Sequence, residues 1–264
     1  MSTLAADRPL VDLTQTPRVR LSRLIRVELR KVVDTRSGMW LLISIGLLTI
    51  AAVAIYLFAA PTEDLTYEGF AGITATPQGF LLPVLGILAV TSEWSQRTGL
   101  VTFTLEPSRG RVVAAKFAAV VALGLAAVAI ALALGALFNV LGTGLQDGSG
   151  DWNLGLAGGR DFTLLQLMSV VQGLAFGMLL MNSAAAIVLY FVIPTAFSIL
   201  FGLVTALEDA APWIDLGTAQ GPLFDDHSLT GTEWAQLLVT TVIWIVVPLV
   251  LGILRLLRAE LKSA

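Results

Sequence analysis

Residues 162–207 read FTLLQLMSVVQGLAFGMLLMNSAAAIVLYFVIPTAFSILFGLVTAL, 46 consecutive positions without Asp, Glu, Lys or Arg. A bilayer core of about 30 Å is crossed by roughly 20 apolar helical residues, and a charge at its centre costs about 2.5–3.5 kcal/mol. This run is long enough for two crossings. Its middle, Met181-Asn182-Ser183-Ala184, is a polar, small-residue break that predicts a tight turn between antiparallel spans. Gly173 and Gly177 form a small-xxx-small pattern that lets helix backbones approach closely, and Pro194 predicts a kink.

Four further charge-free runs flank this one: 37–62, 69–92, 117–146 and 234–254. Each fits one span, giving six helices over about 39–60, 74–93, 112–141, 162–181, 184–207 and 234–254. The second is the least regular, because its uninterrupted apolar run is only Phe80 to Val90 and it carries Pro77 and Pro83. The third would be about 45 Å long and must tilt or project. Pro248 predicts a kink in the sixth. Composition agrees: the 264 residues are 56% hydrophobic and only 13% charged, against about 25% charged in a soluble domain. No cysteine and a single histidine, His227, leave no disulfide framework, thiolate zinc site or HExxH helix. A net charge of −3 gives no nucleic-acid footprint.

Charge asymmetry sets the expected orientation. Fifteen of the 16 bases fall in the N-terminal segment, between spans two and three, or in the C-terminal tail; Arg160 is the exception. The positive-inside rule then puts both termini in the cytoplasm. The first 17 residues are polar and are followed by a full-length span, so a leader and a non-cleaved anchor are expected rather than a signal peptide. The reading is an all-α polytopic membrane protein: a leader over 1–17, an amphipathic interfacial helix over 18–36, a six-helix domain over 37–254, and a cytoplasmic tail over 255–264.

In 18–33, RVRLSRLIRVELRKVV, Leu21, Leu24, Ile25, Leu29 and Val32 share one helical face, and Arg20, Arg23, Arg26, Arg30 and Lys31 the opposite one. Such a helix is expected on the cytoplasmic lipid surface. Glu28 sits on the apolar face, so it needs Lys31 or a protein partner. The stretch 92–116, SEWSQRTGLVTFTLEPSRGRVVAAK, is far longer than a minimal helix–helix turn. A helix starting at Ser92, with Glu93 in its first turn, would have the favourable macrodipole sign. The outside loops are 61–77, 142–161 and 208–233. The second holds too many glycines for a stable helix, and the third suggests short interfacial helices. Asp225, Asp226 and His227 are adjacent and cannot all point at one ion, so a solvated loop is expected there. No Asp, Glu, Lys, Arg or His lies deep in any span, and no GxxxxGK[S/T] loop occurs.

The order Glu93, Arg97-Thr98-Gly99, Thr102, Leu105-x-Pro107, Arg109/Arg111 and Lys116 resembles the cytoplasmic segment of type-2 ABC export permeases. The commoner order there is Gly before Thr. The amphipathic lead helix, six spans and large last outside loop match that family over nearly the whole chain. The resemblance implies that 92–116 contains a coupling helix docking on a separate cytoplasmic ABC ATPase subunit, which binds ATP and magnesium, so this chain needs no cofactor or catalytic site of its own. Glu93, Arg97, Arg109, Arg111 and Lys116 would serve that coupling. The segment with Arg23, Arg26, Glu28 and Arg30 would be the elbow helix. Two permease chains, alike or different, would pair around a pathway lined mainly by spans two and five. Asn182, Thr195 and Ser198, in or next to span five, would be candidates for lining that pathway. Glu93 and Arg97, at i,i+4, would orient the coupling helix, adding about 0.2–0.5 kcal/mol.

Two other readings share the same topology. A sensor or assembly protein could offer the same surface to another cytosolic partner. A stand-alone carrier or channel is the other, although carriers coupled to ion gradients usually rely on an ionisable or broken-helix site at mid-membrane.

Overall fold

The computed structural model describes residues 19–96, 102, 104–224 and 228–258. The leader, Arg97-Thr98-Gly99, the Asp225–His227 triplet and residues 259–264 lie outside them. Among the described residues there is no strand, and six helices are long and apolar enough to cross a membrane. The protein is an all-α, multi-pass membrane protein.

The amphipathic helix α1 (Leu21–Asp34) ends at Thr35, whose hydroxyl accepts from Gly38 N and so caps α2 (Arg36–Ala59), the first span. The second span is α3 (Tyr67–Ser95), which keeps Pro77 and Pro83 inside it. Next come α4 (Arg109–Gln146), α5 (Gly155–Leu180) and α6 (Ser183–Leu203). Met181, at φ 52°, makes the expected turn, and Asn182 caps α6 by accepting from Ala185 N. A run of short elements follows: a 3-10 turn Thr205–Ala210, α7 (Ala211–Ile214), α8 (Leu216–Gln220) and a 3-10 turn Gly221–Phe224. The last span joins α9 (Gly231–Thr241) to α10 (Val247–Arg258) through a π turn, Val242–Val246. Pro248 lacks the N–H that an α register needs, and the extra residue of the π turn lies directly ahead of it.

The helices outrun several expected limits. The 38 residues of α4 make about 57 Å. Residues 142–161 are helical at both ends, contrary to the glycine argument, because tertiary packing overrides propensity. A Cβ at Gly142 would lie 3.2 Å from the Phe70 ring, and one at Gly135 3.1 Å from Ala71 N. Likewise 61–77 is mostly helix, since α3 starts at Tyr67.

Helices α3 and α5 form the centre. Half of the most apolar window of α3 and 56% of that of α5 are buried, against 11% for α6. The contact between them runs through glycine. A Cβ at Gly86 would collide with Val170 O, one at Gly173 with Pro83 O, and one at Gly177 would lie 3.0 Å from Ile87 O. The pattern read at Gly173 and Gly177 is thus a helix seam. Gln166 also donates to Gln78 across it, both buried.

Six alternating spans sort the connections to two ends. At one end lie α1, the end of α3, the start of α4, the α5–α6 turn and the end of α10. At the other, Tyr67 N and Asn139 Nδ2 both donate to Asp151 O, and Arg160 lies over the Trp234 ring. The described bases other than Arg160 gather at the first end.

Candidate functional site

The basic end is organised by four charges from three elements. Glu28 on α1 faces inward, as its place on the apolar stripe required, and is 6% exposed. Its Oε2 accepts from Lys116 Nζ at 2.6 Å and its Oε1 from Lys31 Nζ at 2.7 Å. Lys31 also donates to Glu93 Oε1 at 2.6 Å, and Lys116 approaches the same oxygen at 3.1 Å. Each ammonium can donate three hydrogen bonds. Lys116 uses its third on Ala89 O and Lys31 on Thr102 Oγ1. Two cations and two carboxylates close on themselves without net charge, the condition under which buried ions persist. Burial works against the Lys31 ammonium, but the hydrogen bonds and charges of Glu28 and Glu93 outweigh it and hold its pKa above the ordinary lysine value.

Two expectations change here. Glu93 is not in the first turn of a helix starting at Ser92; it is in the last turn of α3. A carboxylate there meets the negative end of the macrodipole, and Lys31 and Lys116 supply what offsets it. Glu93 and Lys116 are 5% and 3% exposed, so they hold the fold together rather than present charge to a partner. Lys31, placed by helical phase on the polar face, reaches around into the cluster, since one turn brings it beside Glu28 at i+3. Arg97, and with it the proposed Glu93–Arg97 pair, lies outside the described residues.

The other bases of the segment tie helix ends together. Arg109 donates to Leu256 O at 2.8 Å and Leu257 O at 3.1 Å, and Arg255 to Leu179 O at 2.6 Å. Both guanidiniums thus cap helix C-termini, where carbonyls lack partners and positive charge is favoured. Arg111 joins Val19 O to Glu106, one residue before Pro107. The first turn of α4 is therefore tied to the start of α1 on one side and to the end of α10 on the other. Arg23, Arg26 and Arg30 remain exposed on α1.

The three polar residues assigned to span five do not meet. Asn182 caps α6 at the basic end, Thr195 donates to Phe191 O of its own helix, and Ser198 donates to Asp215 at 2.9 Å. Asn182 and Ser198 are about 24 Å apart along the helix. Asp215, 1% exposed, also accepts from Thr218 N and Oγ1. Sequence reasoning missed it, because an Asp in an acidic loop looks solvated; the one local signal was Thr218 at i+3, the spacing of an N-cap. Thr49 Oγ1, Asn139 Oδ1 and Gln172 Nε2 are buried without a hydrogen-bond partner among the described residues.

Comparison with protein-family models and with curated proteins gives no match.

Proposed function

We propose that this chain is the membrane-spanning permease subunit of an ATP-binding-cassette exporter in a plasma membrane, with both termini cytoplasmic. A separate cytoplasmic ATPase subunit binds ATP and Mg²⁺ and presses on the chain between α3 and α4. A second permease chain completes the pathway.

One observation carries the reading: the closed Glu28–Lys31–Glu93–Lys116 cluster at the foot of that connecting chain. A push on the connection is shared at once by α1, α3 and α4, because separating any of them strands a buried charge at a cost of about 3–5 kcal/mol. From α3 the displacement passes to α5 through the glycine seam. Helix α6, the least enclosed span, is left to face a partner chain or the transported molecule. In this reading Arg109 and Arg111 set the entry angle of α4, and docking falls to residues between Gln96 and Ser108.

The test is purification of the tagged chain in mild detergent, followed by identification of what accompanies it. A P-loop ATPase in stoichiometric amount, and nucleotide-driven transport by the pair in vesicles, are expected. Gradient-driven flux by the chain alone would point instead to a stand-alone carrier.

A further inference from the structure

We propose that the basic end carries a site for one anionic phospholipid, its phosphate held by arginines of α1 and one acyl chain lodged beneath that helix. A cavity of about 570 Å³ opens between α1, the end of α3 and the start of α4, within the roughly 300–1,000 Å³ of ordinary ligand sites. Leu24, Val27, Leu105 and Val112 supply apolar wall.

The charges inside the cavity are already matched. Glu28 and Glu93 belong to the closed cluster, and Glu106 faces Arg111. Arg23 is different: it stands at the cavity, is exposed, and has no carboxylate partner among the described residues. Arg20, Arg26 and Arg30, on the same face of α1, are exposed and unpaired in the same sense. The site thus offers an apolar slot and a surplus of guanidiniums, the pair of features that an acyl chain with a phosphate headgroup would match.

Position decides for a bilayer lipid over a soluble anion. Only Thr35 separates α1 from the first span, and the cavity lies level with the last turn of α3 and the first turns of α4. That is the depth at which headgroups meet acyl chains. The site does not require the ATPase partner, so it stands or falls separately from the proposed function.

Native mass spectrometry of the purified full chain, offered phosphatidylglycerol and phosphatidylcholine in equal amounts, tests it. One retained phosphatidylglycerol per chain is expected, preferred about tenfold or more over phosphatidylcholine. Arg23→Gln/Arg26→Gln/Arg30→Gln should abolish the preference, and the triple lysine variant should restore most of it. Leu105→Trp, at an exposed position on the cavity rim, should reduce retention with every arginine in place. Equal retention of the two lipids would overturn the site. So would full retention by a folded Leu105→Trp chain, which would mean that the arginines only attract a charged surface. Displacement of the lipid by a co-purified protein helix would assign the slot to that partner instead.

Discussion

Glu28 and Lys116, 88 residues apart in the chain, meet at 2.6 Å where both side chains are almost completely enclosed. One lies on a surface helix and the other two turns into a span, so their pairing fixes how α1 leans on the bundle. Lys116→Met alone should destabilise the folded protein by about 3–5 kcal/mol, because the cluster is left with one uncompensated carboxylate. Glu28→Gln/Lys116→Met removes one charge of each sign and leaves Lys31 facing Glu93. It should recover most of the loss. Unfolding in detergent, followed by tryptophan fluorescence, measures both; a loss in the double variant as large as the sum of the Glu28→Gln and Lys116→Met losses would show that the charges act independently.

The same cluster gives α1 an alkaline limit. The Lys31 pKa is held above its ordinary value by Glu28 and Glu93, which outweigh its burial. A group whose folded pKa is raised stabilises fully below its unfolded value, about 10.4 for lysine, and ceases to do so as pH rises through the folded value. Docking of α1 should therefore be level from neutrality to about pH 10 and weaken above it. A spin-label pair bridging α1 and α4 would report the distance change. In Lys31→Met the alkaline step should shrink.

The spans were legible because bilayer crossing imposes a rule that each local window must satisfy, and runs without charge reveal it directly. Their ends were not. Nothing local distinguishes Glu93 as the end of one helix from Glu93 as the start of another; Lys31, 62 residues earlier, decides it. Glu28 was the exception, since a carboxylate on an apolar stripe demands a partner before any fold is known. Asp215 lacked such a signal. Its surroundings are acidic and glycine-bearing, and its burial arises only when 205–224 folds back onto α6.

The α3–α5 seam should reject the smallest side-chain increment. At Gly173 an added Cβ would strike the Pro83 carbonyl, which is backbone and cannot rotate away. Gly173→Ala is expected to cost about 1–3 kcal/mol, the usual range for overpacking. Gly79→Ala, one turn before Pro83 on the same helix but with nothing within 4 Å of its new methyl, should be neutral or stabilising by up to about 1 kcal/mol. Both are surface-silent changes of one carbon, so a difference in melting temperature between them isolates the packing term. Equal behaviour would mean that the two helices separate easily, and with that the transmission from α3 to α5 would fail.

Asp215 should control the short helices at the opposite end without affecting the bundle. Its carboxylate accepts from Ser198 on α6 and from both the N–H and the hydroxyl of Thr218, so one side chain caps α8 and ties it to a span. Trp244 adds a second tie, donating from its indole to Ile214 O at 2.7 Å. Loss of an N-cap costs about 0.5–2 kcal/mol, and here the bond to Ser198 goes with it. Asp215→Ala should therefore speed amide exchange across 205–224 by about tenfold or more, since 1.4 kcal/mol corresponds to a factor of ten. Exchange in α3 and α5, whose seam lies elsewhere, should not change. Ser198→Ala breaks only the tie to α6 and should give a smaller acceleration in the same residues. If Asp215→Ala left exchange there unaltered, the apolar contacts of Leu216 with Phe176 and Trp244 would be what holds this region, and neither the cap nor the tie to Ser198 would contribute.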